Sequence, residues 1–555
     1  MKNKILLLII ILIALFLRLP FLDSVPSGLH ADEASFGYNS FSILKTGKDE
    51  YGIAYPLSLK SFGDYKAAVY AYIDIPFISL LGLNEFAVRL PTAIIGILLI
   101  ILIYAIVKKL TGNNAIAIIT SCLSAISPIS IFLSRIQNDP LVSVFFVLLG
   151  FYFFQQFISK RKSFYIFIAG IIWILSFYTY ASPRAFMLPF IILLYIFFYK
   201  KIEGRRMKIQ LIITLLIVII FNLNTLIGTS AERLNQLSIF NAPDVKLKLE
   251  EKIRNDINTP LLVTRIFHNK IVDYGQYISD TYFKYLSYDF LFIQGGEPQR
   301  NRIPNAGLFY PIELLFFILG IYQIFLKKIR WGYFIIIWFL MVPFLLSFAL
   351  DETPNTHRFF LAFLPFELLV GFGIYSFYKY LRKKKNLYRL FLVLIPLIFA
   401  VNLAFYMHQL FVHEPVYRPW FRGYPYKELV ASLNTYYPNY KKIIITKSQS
   451  TPYIYILFYN KYSPLKYQQL GSPRDLDYTG FDKYYFVPLD CPLSAKSGTD
   501  EAEGEPGFLY INKGTCVTPL KNTKVLQTIK WKDNSPAFNI IEYVSTGSVE
   551  LKKDL

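Results

Sequence analysis

Apolar stretches recur along the first 407 residues, and this repetition constrains the fold more than any other feature of the chain. Each is near the ~20 residues that a helix needs to cross the hydrocarbon core of a bilayer. Hydrophobic residues make up 54% of the sequence, which is too many for a water-soluble chain of 555 residues. The pattern predicts a polytopic α-helical membrane protein with about eleven transmembrane helices, at about 4–20, 86–107, 114–132, 140–158, 164–181, 185–200, 208–227, 306–326, 331–350, 358–380 and 388–407.

The positive charge of the chain follows these predicted spans. The formal net charge is +21, and clusters such as Lys160-Arg161-Lys162 and Arg382-Lys383-Lys384-Lys385 fall in alternate connections. Lys and Arg favour the cytoplasmic side of a membrane. The distribution predicts a multi-pass protein of the plasma (cytoplasmic) membrane, with a cytoplasmic N-terminus and an extracytoplasmic C-terminal domain. It argues against a nucleic-acid partner, because the excess charge is a topology signal.

The connections on the opposite side are unequal in length. Those at about 21–85 and 228–305 are long, and Ala67 to Leu83 is interpreted as a helix at the membrane interface rather than a span. Residues 408–555 alternate short apolar runs with turns and predict a small α/β domain. The sequence therefore predicts a transmembrane catalytic module at 1–407 and an extracytoplasmic domain at 408–555.

Two cysteines lie in this predicted external domain. Cys491 and Cys516 are a candidate disulfide pair, because extracytoplasmic compartments are oxidising. Neither Cys nor His residues show the spacing of a zinc site, and no glycine-rich nucleotide fingerprint follows a strand. No cofactor is assigned, and a divalent metal is left open.

An acidic pair, Asp32-Glu33, follows the first predicted span, on the predicted outer side. A carboxylate there suits deprotonation of an acceptor, and cations stabilise a phosphate leaving group. For each cation, the alternative that it anchors a helix end or pairs locally stays open. The candidate cations near the outer ends of spans are Lys66, Arg89, Arg135, Arg184, His357 and Arg358.

Several segments together resemble one family of membrane enzymes. Residues 26–33, 61–66, 83–91, 134–140 and 356–365 are similar to segments of GT-C glycosyltransferases, the family of protein O-mannosyltransferases and aminoarabinose lipid A transferases. The resemblance covers about residues 1–405 and implies a GT-C-like membrane module. It also implies a polyprenyl-phosphate-linked sugar as donor, with a protein, lipid or glycan acceptor in contact with membrane lipid.

The resemblance also implies roles for individual residues. Asp32 would act as the base in an inverting hexosyl or pentosyl transfer, with Glu33 as a secondary acidic or structural group. Lys66 and Arg89 match positions associated with the donor phosphate, although Lys66 is followed by Ala67-Ala68 where the family often has Pro-Pro.

Three further residues match later segments of the family. Asp139 matches an acidic position in a short outer loop, and His357-Arg358 would contribute to the donor site.

Two other classes of protein share features with this pattern. A flippase or transporter of lipid-linked sugars would show polar residues through both halves of the membrane, whereas here polarity collects on one face. An oligosaccharyltransferase that acts on asparagine would carry a Trp-Trp-Asp type signature in its tail, which this sequence lacks.

Overall fold

The computed structural model describes residues 2–225, 238–241, 243–350, 352–417, 419–470 and 478–544. The packing divides the chain into two compact units. The helical unit comprises Met1–Pro20 and Thr92–Gln409, and the mixed unit comprises Phe21–Pro91 and Leu410–Leu555. Parts of three predicted segments lie outside the described residues: the end of the span at 208–227, the start of the loop at 228–305, and portions of the C-terminal domain.

The helical unit is built mainly from α-helices, and its connections include 3₁₀ segments, a π-helical segment at Asp289–Ile293 and irregular loops. Helix Glu85–Thr111 begins in the mixed unit and continues into the helical unit. The other α-helices are Lys2–Arg18, Asn114–Ile126, Pro128–Leu133, Asp139–Lys160, Ser163–Phe177, Ser182–Phe198, Arg205–Asn224, Pro243–Asn255, Leu261–Phe267, Lys270–Tyr285, Pro311–Lys327, Arg330–Leu346, Thr356–Phe359, Phe363–Leu381 and Lys385–His408.

Each of the predicted spans overlaps at least one helix of the described residues. In the described part of the chain, 6 helices are long and apolar enough to cross a membrane, judged by length and composition. The remaining predicted spans fall on helices of 13, 15 or 17 residues. The total of eleven and the placement of either terminus therefore stay predictions.

The predicted span at 114–132 is two helices rather than one. Helix Asn114–Ile126 ends at Ser127, whose φ of -62° and ψ of 131° are extended, and Pro128 opens the next helix. A residue before proline is biased away from helical geometry, and proline suits the first helical position because that N–H is unpaired anyway. The Ser-Pro pair accounts for the break.

Close helix contact in the helical unit depends on glycine. A Cβ added to Gly373 would lie 1.9 Å from the carbonyl oxygen of Phe316, and one added to Gly320 would lie 2.1 Å from that of Leu369. Small residues let two helix backbones approach closely where no hydrophobic force drives the helices together. These glycines allow helices Pro311–Lys327 and Phe363–Leu381 to pack against each other.

The mixed unit combines five described helices with three sheets. Its helices are Ala31–Thr46, Val69–Leu81, Tyr426–Tyr436, Pro452–Tyr459 and Pro464–Gln469. Its strands are β1 (Ser58–Ser61), β2 (Asp64–Ala67), β3 (Lys442–Thr446), β4 (Gly480–Phe481), β5 (Tyr484–Val487), β6 (Ser494–Ala495), β7 (Ala502–Glu503), β8 (Phe508–Lys513), β9 (Thr523–Lys530) and β10 (Pro536–Tyr543).

The main sheet has the strand order β4-β5-β3-β8-β10-β9. Strand β3 is parallel to both neighbours, and β10 is antiparallel to β8 and β9. The apolar run Ile443-Ile444-Ile445 suits a central parallel strand, which is covered on both faces. The apolar runs of the sequence predict strands at 442–446, 484–488, 508–511 and 540–544, which fall on β3, β5, β8 and β10. They predict neither the two-residue strand β4 nor β9, whose polar residues Thr523, Lys524 and Gln527 obscure the alternation.

One hydrophobic core joins both chain segments of the mixed unit. Leu29, Ala34 and Tyr38 from the first segment are buried with residues of the C-terminal helices and sheet, including Leu457 and Ile443. The sequence pattern assigns the loop at 21–85 to the transmembrane module, whereas the packing groups it with the C-terminal segment. The predicted domain boundaries themselves stay a prediction.

The candidate cysteines of the C-terminal segment form a disulfide. Cys491 and Cys516 are bonded across a Cα–Cα distance of 5.8 Å, and the bond links the start of a surface loop to the turn after β8. Cys122, in the helical unit, is a free cysteine.

Candidate functional site

The acidic pair lies at the start of helix Ala31–Thr46. His30 is the N-cap residue, and its Nδ1 accepts a hydrogen bond from the backbone N–H of Asp32. Glu33 accepts one from the backbone N–H of His30 at 3.0 Å, which completes a capping box. This cap fixes the directions of two adjacent carboxylates, so that Asp32 and Glu33 meet different surroundings.

Glu33 is buried in an ion pair inside the mixed unit. Its Oε1 lies 3.0 Å from Nε of Arg89, and its Oε2 lies 3.2 Å from Nη2 of the same guanidinium. Arg422 adds a third contact, with Nη2 at 3.0 Å from Oε2. Glu33 and Arg89 are 2% and 0% exposed, so water contributes almost nothing to their solvation.

Arg89 directs all of its N–H groups at protein acceptors. Besides the two bonds to Glu33, Nη1 donates to the carbonyl oxygens of Leu22 and Pro26, and Nη2 donates to that of Gly28. A guanidinium has five N–H donors. In this arrangement none is directed at a ligand, although the resemblance associates Arg89 with the donor phosphate.

Arg422 and Glu414 complete the buried network, and the sequence analysis missed both. Nε of Arg422 lies 3.9 Å from Glu414, whose Oε2 accepts a hydrogen bond from the backbone N–H of Ser27 at 2.9 Å. Gly28 has a φ of +74°, and a Cβ there would lie 2.6 Å from the carbonyl oxygen of Arg422. The available sequence signal was weak, since both are simply charged residues that follow the last predicted span.

These contacts determine the ionisation of Glu33. Burial by itself would raise the pKa of Glu33, but the charges of Arg89 and Arg422 oppose that effect. Hydrogen bonds from Arg89 and from the backbone of His30 lower the pKa further, and the resulting pKa of Glu33 is about 2. Glu33 is therefore a carboxylate at neutral pH, and such a carboxylate does not serve as a general base near pH 7.

Asp32 occupies a more open position than Glu33. Its side chain is 36% exposed, against 3% for Glu33, and its Oδ1 contacts the ammonium of Lys66. The Oδ2 of Asp32 lies 3.3 Å from Nδ1 of His30. A carboxylate within reach of both solvent and an ammonium group is placed where it can contact a substrate.

Lys66 is held by a β-hairpin. Strands β1 and β2 pair antiparallel with Leu59 opposite Lys66, and the two-residue turn is Phe62-Gly63 with φ values of 54° and 76°. Both φ values are positive, as a turn that matches the twist of a hairpin requires. Nζ of Lys66 lies 4.7 Å from the ring centre of Phe62 and 5.7 Å from that of Phe36. The rings attract the cation electrostatically.

Two of the candidate cations of the helical unit hold backbone groups. Arg135 is fully buried and donates to the carbonyl oxygens of Leu17 at 3.0 Å and Pro20 at 2.7 Å, at the end of the first helix. Arg184 donates to the carbonyl oxygen of Phe177 at 3.0 Å across a turn between helices. These contacts agree with the anchoring alternative that the sequence left open.

The remaining candidates of the helical unit lie close together. Asn138 caps the helix that begins at Asp139, and its amide nitrogen lies 3.5 Å from Nε2 of His357. Tyr180 interacts electrostatically with Asp139 and is hydrogen-bonded to Arg358. The structure thus brings the segments at 134–140 and 356–365 together.

Tyr180 and Arg358 also line a cavity of about 220 Å³ within the helical unit. Its other walls are mostly apolar and include Phe186, Leu346 and Phe348. An apolar cavity with a few polar groups at one side is typical of sites for small ligands. In the described part of the chain, no three His, Cys, Asp or Glu side chains are grouped so that they could hold a metal ion.

Comparison with known proteins supports the resemblance over part of the chain. Residues 66–224 match the model of a family described as dolichyl-phosphate-mannose-protein mannosyltransferase. The match confirms the resemblance to membrane glycosyltransferases in that segment, which begins at Lys66 and leaves Asp32 and Glu33 outside. Together with the long apolar helices, it identifies the chain as a multi-pass helical membrane protein with a C-terminal sheet region.

One curated relative and several solved structures are similar to this chain. An uncharacterized protein of Aquifex aeolicus (strain VF5) is 26% identical over 125 residues, which are 22% of this chain and 24% of that protein. This chain therefore spans about a quarter of the length of that relative.

The solved structures are more distant in sequence. The oligosaccharyltransferase AglB of Archaeoglobus fulgidus, in complex with an inhibitory peptide and a dolichol-phosphate, is 12% identical with a TM-score of 0.49, over 82% of this chain and 64% of its own. ArnT of Cupriavidus metallidurans bound to undecaprenyl phosphate is 12% identical with a TM-score of 0.46, over 96% and 97%. TM-scores below 0.5 support no conclusion about the site or activity of this chain.

Proposed function

We propose that this chain is a membrane glycosyltransferase that moves a monosaccharide from a polyprenyl-phosphate carrier to an acceptor at the outer face of the membrane. The observation that carries the proposal is the contact between Asp32 and Lys66. It joins a partly exposed carboxylate to the residue at which the match to the mannosyltransferase family begins. The pair offers a proton acceptor and a phosphate-binding cation at one place.

The proposed reaction divides its chemistry between these two residues. Asp32 takes the proton from the nucleophilic group of the acceptor, whose heteroatom then bonds to the anomeric carbon from the face opposite the phosphate. The bond from the anomeric carbon to the phosphate oxygen breaks, and the configuration at that carbon is inverted. Lys66 stabilises the negative charge that grows on the departing polyprenyl phosphate.

The buried network has a different role in this proposal. Glu33, Arg89 and Arg422 hold the start of helix Ala31–Thr46 against the segment that carries Gly28. Because all N–H groups of Arg89 are engaged, we assign it to positioning Asp32 rather than to binding phosphate. A buried and fully hydrogen-bonded charge pair is suited to that task.

A second set of candidate groups lies within the helical unit, taken by itself. We propose Asp139, His357 and Arg358 as substrate-contacting residues, since they gather beside the cavity that Tyr180 and Arg358 line.

The proposed location of the site leads to a labelling prediction. In intact cells, an impermeant thiol reagent should label Ser24→Cys and Ser497→Cys but leave Glu203→Cys unlabelled. All three positions are exposed, and Glu203 lies in a basic connection that the charge rule places inside. The unsubstituted chain, with free Cys122, gives the background. Labelling of Glu203→Cys together with protection of Ser24→Cys would reverse the proposed orientation.

The proposed activity is tested by release of the carrier. Purified protein in detergent, given a polyprenyl-phosphate sugar and a pool of acceptors, should release free polyprenyl phosphate. Lys66→Ala should lower that release by roughly 10²-fold, because it removes a charge that stabilises the transition state. Lys60→Ala is the matched control, since Lys60 lies on β1 of the same hairpin and also contacts an aromatic ring.

Two results would contradict the proposal. The first is equal loss of release in the Lys60 and Lys66 variants, which would indicate damage to the hairpin rather than loss of a phosphate contact. The second is absence of release with every acceptor pool while sealed vesicles translocate the intact donor. A flippase leaves its lipid-linked sugar chemically unchanged, so that result would favour a flippase.

A further inference from the structure

A chain of hydrogen bonds runs from the Asp32–Lys66 pair into the interior of the mixed unit. Nζ of Lys66 donates to Oγ of Ser61 at 3.4 Å, and Oγ of Ser61 lies 2.8 Å from Oγ of Ser35. Ser61 is fully buried and Ser35 is 2% exposed. The ammonium is therefore tethered from behind by a buried hydroxyl pair, on the side away from solvent.

The chain continues through Asn39 to a buried carboxyl group. The amide nitrogen of Asn39 donates to the carbonyl oxygen of Ser35 at 2.9 Å and to Oε1 of Glu50 at 3.1 Å. Oδ1 of Asn39 accepts a hydrogen bond from the backbone N–H of Glu50 at 2.9 Å. Ser35 and Asn39 are one helical turn apart, so helix Ala31–Thr46 presents both along one line.

Glu50 is an unusual residue to bury here. It is 1% exposed, and the groups that face it are Asp49 beside it, Lys66 on β2, Tyr453 on helix Pro452–Tyr459 and Tyr38 on helix Ala31–Thr46. Burial raises the pKa of Glu50 to about 7, with a contribution from Asp49, while Asn39, Lys66 and Tyr453 act in the opposite direction. Lys66 is the cation among these groups.

We propose that Glu50 is a positioning residue for Lys66. Through Asn39, Ser35 and Ser61 it holds the ammonium beside Asp32, and its charge state changes the electrostatic attraction between this site and a donor phosphate. This inference rests on the proposed function, in which Lys66 binds the phosphate. It adds a buried residue that does not contact substrate and that the family match, which begins at Lys66, does not include.

The direction of the effect follows from the charges. When Glu50 is neutral, the carboxylate in contact with the ammonium of Lys66 is that of Asp32. When Glu50 loses its proton, a second anion acts on the same ammonium, and the phosphate is attracted less strongly. Donor affinity should therefore fall as pH rises through about 7. Glu50→Gln keeps the size of the side chain and an acceptor for Asn39 but has no charge, so it should remove this fall.

The test measures binding of undecaprenyl phosphate to the full-length protein in detergent, at about pH 6 and about pH 8. The second ionisation of a phosphate monoester lies near pH 6 and affects every variant alike, so the ratio of the wild-type Kd to the Glu50→Gln Kd is the readout. We expect this ratio to increase about tenfold between the two pH values. A change of that size in affinity is what the repulsion between two like charges in a partly buried site would cause.

Two further variants separate positioning from folding. Ser61→Ala removes the hydroxyl that tethers Lys66 and should weaken binding several-fold at both pH values. Ser40→Ala is its matched control, because Ser40 is equally buried in the neighbouring helix and donates to the carbonyl oxygen of Phe36. If Glu50→Gln does not fold, Ser61→Ala measured against Ser40→Ala tests the same chain.

The outcomes distinguish the two proposals. A Kd ratio that does not change with pH would overturn the role of Glu50, and so would equal effects of Ser61→Ala and Ser40→Ala on binding. In either case, binding of undecaprenyl phosphate by the wild-type protein would still support the lipid-phosphate site. Wild-type protein that binds no undecaprenyl phosphate at either pH, and releases none in the transfer assay, would overturn the proposed function and this inference together.

Discussion

Asp32→Asn protein should insert and fold as wild type does, yet transfer sugar roughly 10²–10⁴-fold more slowly. The substitution keeps the volume of the side chain and an oxygen that can contact Lys66, but removes the ability to accept a proton. Because the Asp32 side chain is 36% exposed, whereas that of Glu33 is buried, the loss should appear in kcat and not in stability. Transfer is measured as polyprenyl phosphate released per mole of purified protein.

Two variants make this result specific. Asp23→Asn, at an exposed position in the same loop, should transfer at the wild-type rate. Glu33→Gln should lower the amount of folded protein, because Glu33 neutralises two buried guanidinium groups. Near-normal transfer by Asp32→Asn would remove Asp32 from the role of base, and Asp139 would then be the first alternative to examine.

Arg89→Ala should destabilise the protein by about 3–5 kcal/mol, the cost of leaving a buried charge without its partner. The variant removes both contacts to Glu33 and three hydrogen bonds to the carbonyl oxygens of Leu22, Pro26 and Gly28. Arg89→Lys should recover only part of the loss, because an ammonium lacks the planar fork that pairs with a carboxylate. Thermal or denaturant unfolding of the purified protein measures the change.

The pair between Lys427 and Glu85, in which Lys427 is exposed and Glu85 is largely buried, is the control. Its atoms are 2.8 Å apart, but the Lys427 side chain is 65% exposed. Because water reaches the Lys427 side of this pair and screens its charge, Lys427→Ala should change the free energy of unfolding by about 1 kcal/mol or less, well below the change for Arg89→Ala. Comparison of the two variants separates the effect of burial from the effect of pairing.

The same network gives the protein a defined response to acid. The pKa of Glu33 falls from 4.5 to about 2 on folding, so its ionisation stabilises the folded state above pH 4.5. That contribution, about 3 kcal/mol, should be lost as pH falls from 4.5 through about 2. Glu33→Gln should lack this part of the pH dependence.

An Arg89→Ala protein that is as stable as wild type but impaired in donor binding would contradict the positioning role of Arg89. It would indicate instead that Arg89 binds the donor phosphate.

The sequence predicted the helices well because helix formation in a membrane protein is a local property. A run of about 20 apolar residues satisfies its own backbone hydrogen bonds wherever it lies in the bilayer. Each predicted span overlaps helical structure among the described residues, and the one that differs most, at 114–132, is divided at Ser127-Pro128 by an effect that is equally local. The missed strand β9 shows the limit, since its pairing with β10 depends on a partner rather than on its own pattern.

The candidate site was predictable as a set of residues and not as an arrangement. The sequence singled out Asp32, Glu33, Lys66 and Arg89, but spacing alone cannot tell which carboxylate meets which cation. Arg422 is 389 positions from Glu33 along the chain, and no local pattern indicates their contact at 3.0 Å. Glu50 was missed for the same reason, because its significance depends on Asn39 and on the hairpin that carries Lys66.

The sequence by itself determined that this chain is a multi-pass helical membrane protein with an acidic pair after its first helix and a sheet-forming C-terminal segment. Hydrophobicity, charge distribution and residue identity are properties of the sequence, and they do not depend on the contacts that the folded chain makes. Only the tertiary structure decided that Asp32 meets Lys66 while Glu33 is buried with Arg89 and Arg422. The two adjacent carboxylates differ in burial and in their hydrogen-bond and charge partners. Both differences depend on residues distant in the sequence, which only folding brings together.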